Sequence, residues 1–437
     1  MIELLKNIIT LSVIFPIIII AGSYLSYRLR FVQIFKLKEA LKLITTKERS
    51  GGISSFGALS AVLAGNLGTG NISGVAVALV SGGPGALFWM WVMALLASIT
   101  KYVGCFLGVH WQRQNKNGEW VGGPMYYLSE GLKSKKLAAL FCLFTITSAL
   151  TVGNLVQVHA LSLPIKELGL SKLGFGLLLA ALVGGVIFGS LKRFSHLVSA
   201  LVPLMAVAYI LTCVAILFWF RHDLISNIKL IISSAFSFAP VAGGFAGFSV
   251  FTTVRAGFDR GLFATDSGIG LAPILHSSVR DTSAHHDNRI TQGLISLLSP
   301  IIVMIVCSMT GLVLLTTQAA FKYELSSTTM CMEAFRIGFG GAAWAGHIVS
   351  VTLFFFAFTT ILTWYYCANR AVEYLWDDKF VKAFRILFIL LVPYGVFIHE
   401  NLVWLIADLS INFMFIINMV GVIGLSSLVI KKSRIIK

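Results

Sequence analysis

Apolar runs long enough to cross a bilayer constrain this chain more than any other feature. A spanning helix needs about 20 predominantly apolar residues, and about eleven such segments occur, near 8–27, 55–79, 86–109, 138–162, 172–191, 196–220, 229–257, 293–317, 340–366, 383–398 and 402–430. At that depth there is no water, so every peptide group must be satisfied inside the protein. The reading is an all-α polytopic membrane protein with a single transmembrane domain over residues 1–437. A composition of 57% hydrophobic and 12% charged residues agrees, being far more apolar than that of a soluble globular chain.

The formal net charge of +16 does not point to nucleic acid, because the basic residues lie between apolar runs rather than on a polar face with interleaved aromatics. They set orientation instead. Blocks at Arg28 to Arg49, at Lys133, Lys135 and Lys136, and at Lys431, Lys432, Arg434 and Lys437 belong on the cytoplasmic side. That puts the N-terminus outside and the C-terminus in the cytoplasm of a cell (inner) membrane, with anionic lipid as the partner of the basic surface. The first apolar run is expected to stay in the mature chain as a span, because a basic block follows it where a leader would end. Five of the six cysteines sit in or beside apolar runs and Cys331 falls in an expected outer loop, so neither a disulfide framework nor a zinc spacing is expected.

The stretch GNLGTGNISG (65–74) lies inside an apolar run, where Gly65, Gly68, Gly70 and Gly74 should interrupt a helix. An interruption at membrane depth is tolerated only inside the protein, where its peptide groups have something to bind. Unwound carbonyls can ligate a small cation. The N–H groups of Thr69, Gly70 and Asn71, opening the second half-helix, can hold a carboxylate with help from the helix dipole. A second glycine cluster, Gly243, Gly244 and Gly247, interrupts the run 229–257. With the first run set aside, the others group as five plus five, and each group opens with an interrupted member. That pattern points to a secondary transporter built of inverted repeats, here 51–220 and 221–430, preceded by an extra helix and basic loop over 1–50. Placing the break at Gly243–Gly247 leaves Arg255 and Arg260 inside the cell and makes 258–291 a long cytoplasmic loop.

These residues resemble the alanine/glycine:cation symporter family over about Gly52 to Ser427. The specific pieces are GISSFGALSAVLAGNLGTGNISGVAVALVSGGPGALFWMWV (52–92), GGPMYYLSEGL (122–132), GNLVQ (153–157), RGLFATDSGIGLAP (260–273), FAFTTILTWYY (356–366) and the ADL to IIN stretch (407–418). The resemblance implies a LeuT-like five-plus-five inverted repeat with two broken helices. It implies a transporter, not an enzyme, that imports a small neutral amino acid (alanine or glycine, D-alanine included) with a monovalent cation, sodium first and the proton second, and without an organic cofactor. It assigns the substrate to Thr69, Gly70, Asn71, Gln157, Phe245 and Gly247. It assigns the cation to Ala64, Leu67, Asn71, Thr359 and Thr360.

Several positions depart from the family pattern by losing an acid or amide: Gly57, Gly104, Ile302 or Val303, Asn369, and Thr265-Asp266-Ser267-Gly268 in place of Asn-Glu-Ala-Gly. A proton-coupled or uncoupled facilitator is therefore the alternative within transport, and a channel, receptor or membrane enzyme the alternative outside it. Among the other polar residues, Lys101 lies near the inner end of its run and is expected to snorkel. Asp408 is an intramembrane acid, His159 is read as a packed histidine, and His285-His286-Asp287 as a solvated loop.

Overall fold

The computed structural model describes residues 9–45, 53–167, 169, 171–189, 191–236, 250–280, 287–321, 327–398 and 400–433. Its main helices are α1 (Thr10–Arg28), α2 (Leu37–Thr45), α3 (Ser55–Asn66), α4 (Ser73–Gly82), α5 (Gly85–His110), α6 (Lys135–Ser162), α7 (Lys172–Ile187) and α8 (Leu191–Trp219). They continue as α9 (Arg221–Phe236), α10 (Val250–Thr265), α11 (Leu271–His276), α12 (Asn288–Thr316), α13 (Ser327–Gly338), α14 (Ala343–Trp376), α15 (Val381–Tyr394), α16 (Glu400–Gly424) and α17 (Ser426–Ser433). A two-stranded hairpin, Arg113–Gln114 with Trp120–Val121, lies between α5 and α6. Among the described residues seven helices are long and apolar enough to span a membrane.

Helix starts follow local chemistry. Ser54, Ser134, Ser171 and Asp287 each cap a helix by accepting a backbone N–H from two or three residues on. Asp287 caps α12 and also binds the Arg289 guanidinium at 2.5 Å. Burial would push its carboxyl up, but the side-chain and backbone hydrogen bonds from Arg289 outweigh that and hold it below the usual carboxylate range. Asp287 thus joins the fold as a helix cap, while His285 and His286 lie outside the described residues.

The bundle has an apolar core and also turns apolar side chains outward. Leu204, Leu211, Phe218 and Trp219 of α8 face outward, whereas Lys101, Asp266, Asn66 and Arg370 are buried. Association of helices in lipid rests on close packing, and glycine supplies it here. On α10, a Cβ at Gly257 would lie 2.6 Å from the Ala86 carbonyl oxygen of α5, and one turn on a Cβ at Gly261 would meet Met90 and Met93. Gly104 and Gly108 likewise bring α5 against Pro273 of α11, which gives a packing reason for a glycine where the family pattern has an acid.

The helix broken at GNLGTGNISG is present as α3 and α4. Of the run 229–257, residues up to Phe236 belong to α9 and those from Val250 on to α10, and Gly243, Gly244, Phe245 and Gly247 lie outside the described residues. Among the described residues a second broken passage is α10 and α11, interrupted at TDSGIG (265–270), where Asp266, Gly268 and Gly270 take φ of +49°, +85° and +105°. Arg255 and Arg260 both stand on α10, so Arg260 lies in a half-helix rather than in a long loop. The start of α10 packs beside the α4–α5 turn, with Ala256 against Gly82, on the side away from the start of α3. At the other end, Ser55 at the start of α3 meets Gln292 of α12. The stretch 258–276, expected as cytoplasmic loop, belongs to α10, the break and α11.

Candidate functional site: two facing helix breaks

After Asn66 the first helix unwinds through Leu67 and Gly68 (φ −118°, ψ −158°), makes one tight turn over Thr69–Asn71, and resumes as α4. The backbone here is clamped between neighbours. A Cβ at Gly68 would lie 2.9 Å from Thr360 Oγ1 and 3.1 Å from Gln157 Oε1, and one at Gly70 would lie 2.7 Å from the Phe263 ring. Gly74, by contrast, has nothing within 4 Å of a built Cβ.

Asn71 braces the turn. Its Nδ2 donates to the Asn66 carbonyl at 2.5 Å, its Oδ1 lies 3.2 Å from Cys307 Sγ, and its own carbonyl lies 2.9 Å from Thr310 Oγ1. Gln157 accepts from the Thr69 N–H at 3.2 Å and donates to the Val152 carbonyl at 3.1 Å. It follows a π-helical stretch, Thr151–Val156, in which Gly153 allows Trp364 to press on the backbone. The Thr69 hydroxyl is buried with no hydrogen-bond partner. A buried hydroxyl left unpaired costs about 1–3 kcal/mol.

Thr360 of α14 faces the same break. Its Oγ1 lies 2.8 Å from the Phe356 carbonyl, 2.9 Å from that of Ala64 and 3.4 Å from that of Leu67. One hydroxyl proton cannot serve three carbonyl oxygens, and the surplus of oxygen lone pairs suits a hard monovalent cation. Thr363 extends the row, with Oγ1 3.3 Å from the Ala61 carbonyl. Of the residues the family pattern assigns to the cation, Ala64, Leu67 and Thr360 converge. Asn71 lies in the adjoining turn, and the Thr359 hydroxyl turns back to its own helix at Phe355 and Phe356.

The second break touches the first. Asn66 Nδ2 donates to the Thr265 carbonyl at 3.0 Å, and Gly70 packs against Phe263 and Ala264. Lys101 is not snorkelling. It is 2% exposed, and its Nζ donates to the Thr265 carbonyl at 2.7 Å and to Ser299 Oγ at 2.9 Å. Asn418 donates to the Gly268 carbonyl at 2.8 Å and also bonds the Tyr127 hydroxyl. These contacts went unread in the sequence, where a single lysine and a polar TDSGIG carry no sign of their partners. Asp408 borders a small cavity together with Asp259, Arg260 and Asn412.

Toward the far end of α14 a cavity of about 260 Å³ is lined by Leu362, Tyr365, Tyr366, Asn369, Arg370 and Glu119, among others. Arg370, 8% exposed, bonds Glu119 at 2.5 Å and Glu373 at 2.7 Å, and Tyr366 bonds Ser278 at 2.9 Å. This network ties α14 to the hairpin and to the segment after α11, below the two breaks.

The sodium:alanine symporter family matches residues 1–435. An uncharacterized transporter of Haemophilus influenzae is 40% identical, over 94% of this chain and 90% of the relative. The sodium/alanine symporter AgcS of Methanococcus maripaludis is 36% identical over 94% and 91%, and a probable sodium/glutamine symporter of Bacillus subtilis is 31% identical over 93% and 84%. Among solved structures, a Na⁺-coupled sialic acid symporter superposes with a TM-score of 0.56 at 13% identity, covering 93% of this chain and 86% of that one. A manganese transporter of Eremococcus coleocola gives 0.56 at 13% identity over 84% and 76%. At that identity the likeness speaks for the fold alone, and it supports the LeuT-like all-α architecture.

Proposed function

The chain belongs to the sodium:alanine symporter family, a family of membrane transporters rather than enzymes, and from that premise we propose that it imports a small neutral amino acid together with a sodium ion by alternating access. Alanine, glycine and D-alanine are the substrates of choice. The single observation that carries the reading is the first break, where an orphaned Thr69 hydroxyl and the Gln157-held Thr69 N–H stand beside three carbonyls crowded on the Thr360 hydroxyl. A substrate carboxylate takes the N–H groups of Thr69, Gly70 and Asn71 at the start of α4, favoured by the helix dipole. The sodium ion takes the Ala64 and Leu67 carbonyls with Thr360. Gln157 releases Thr69 and turns to the substrate.

Around that site we place the first repeat at 51–220 and the second at 221–430. The basic loops face the cytoplasm, and the chain sits in the cell membrane with its N-terminus outside. The cavity beside Arg370 is then the inner vestibule. Relatives named for sodium with alanine or glutamine support the ion and the neutral substrate class.

The test is uptake of labelled L-alanine into proteoliposomes with and without an inward sodium gradient. We expect accumulation above equilibrium that collapses when choline replaces sodium. Uptake that ignores sodium would overturn the coupling, and no uptake of any small neutral amino acid would overturn the substrate class.

A further inference from the structure

Both breaks leave the C-terminal carbonyls of a half-helix pointing into the protein, and the negative end of the helix dipole favours a cation at each. At the first break the carbonyls of Ala64, in α3, and of Leu67, just past its end, meet the Thr360 hydroxyl. At the second, the Thr265 carbonyl that ends α10 meets the Lys101 ammonium at 2.7 Å, and the same ammonium takes Ser299 Oγ at 2.9 Å. Asp266, next in the chain, is 4% exposed, and its Oδ2 has no hydrogen-bond partner. A carbonyl at a helix C-terminus and a hydroxyl, both on a buried ammonium, are oxygen donors of the kind a monovalent cation takes, occupied here by a side chain.

We propose that the Lys101 ammonium is a built-in cation of the second break, standing where a coupling ion would otherwise bind between the Thr265 carbonyl and the Ser299 hydroxyl. The transport cycle then calls on an external ion at the first break alone, and removing the lysine side chain opens the second break to a small external cation. Lys101 is a positioning residue: it touches no substrate, and it holds the end of α10 against α5 and α12 next to Asn66.

The proposal rests on the transport reading only for its uptake arm. Lys101→Ala retains Asp266 and vacates the volume of n-propylammonium, which replaces the atoms beyond Cβ. In purified Lys101→Ala protein, n-propylammonium at about 10 mM should raise Tm by several degrees over choline, by mass action on the folded state, and leave wild type unmoved. In proteoliposomes the same variant should regain uptake with the amine, and its sodium dependence should be steeper than wild type's as a second sodium fills the gap. Equal Tm responses in the two proteins, or none in a folded variant, overturn the proposal.

Should Lys101→Ala not yield monodisperse protein, Lys101→Met with Asp266→Asn removes both charges and the buried imbalance. That pair should fold and transport at least tenfold more slowly than wild type. Wild-type uptake in it reduces Lys101 to a packing role and overturns the proposal. Failure of wild type itself to take up alanine defeats the functional reading instead, and the Tm arm then decides this one.

Discussion

The two helix breaks lie side by side and are finished differently. At 67–72 the freed groups meet only neutral partners, Gln157, Thr360, Cys307 and Thr310, and one hydroxyl is left unserved. At 265–270 the protein brings its own ions, Lys101 and Asp266, and anchors the turn with Asn66 and Asn418. The difference teaches a division of labour. The break at 265–270 is completed by a resident cation, whereas the one at 67–72 is completed by hydroxyls, carbonyls and an amide and is left short of positive charge and of donors, as the proposed function requires.

The strongest way to break that comparison is steric. Gly68→Ala adds a Cβ 2.9 Å from Thr360 Oγ1 and 3.1 Å from Gln157 Oε1, so both side chains must give way. Alanine uptake should fall about a hundredfold, equivalent to about 2.8 kcal/mol, in protein that still elutes as a single species. Gly74→Ala, four residues past Gly70 and free of neighbours, should transport normally. If the two variants behave alike, glycine at Gly68 serves helix breaking in general and not the site.

Next in size is Thr360→Val, which removes the hydroxyl shared among three carbonyls while keeping the branched shape. The sodium concentration for half-maximal uptake should rise about tenfold, or about 1.4 kcal/mol. Thr359→Val, whose hydroxyl turns to its own helix, should shift it less. Equal shifts would mean that Thr359 reaches the ion in a state other than this one.

Much of this arrangement was readable in advance, and the part that was not has physical causes. Glycines and an asparagine inside an otherwise apolar run mark the first break because no lipid-facing helix gains from them. Gly243–Gly247, where glycine is densest, lie outside the described residues, and the interruption that faces the first break is at TDSGIG, whose aspartate and flanking Arg260 make it look like a water-exposed loop. Its Thr265 carbonyl is met by Lys101, 164 residues away in sequence. Sequence position tells how deep a lysine lies along its helix and is silent on which neighbour it faces. Snorkelling and internal pairing are therefore indistinguishable until the bundle is assembled.

A smaller effect separates stability from function at the first break. Thr69→Val replaces a buried, unpartnered hydroxyl with a methyl group, so the apo protein should melt at the same or a higher temperature, relieved of a cost of about 1–3 kcal/mol. Substrate should then raise Tm less than it does in wild type. A lower apo Tm with an undiminished substrate response would show that the hydroxyl serves the fold.

The smallest effect probes the seam between the breaks. The Thr265 carbonyl accepts from both Lys101 Nζ and Asn66 Nδ2, so Asn66→Ala leaves it served, and the loss should be near the average of about 0.6 kcal/mol for such bonds within membranes. Ser299→Ala frees one ammonium donor and should cost a similar amount alone. Because both act on the same carbonyl–ammonium contact, the double variant should depart from additivity by about 0.5 kcal/mol or more, read from denaturant or thermal unfolding in detergent. Strict additivity would mean that the two breaks only touch; a measurable coupling would make the resident cation at one break part of what sets the shape of the other, and so link the fixed half of the site to the half that waits for ligands.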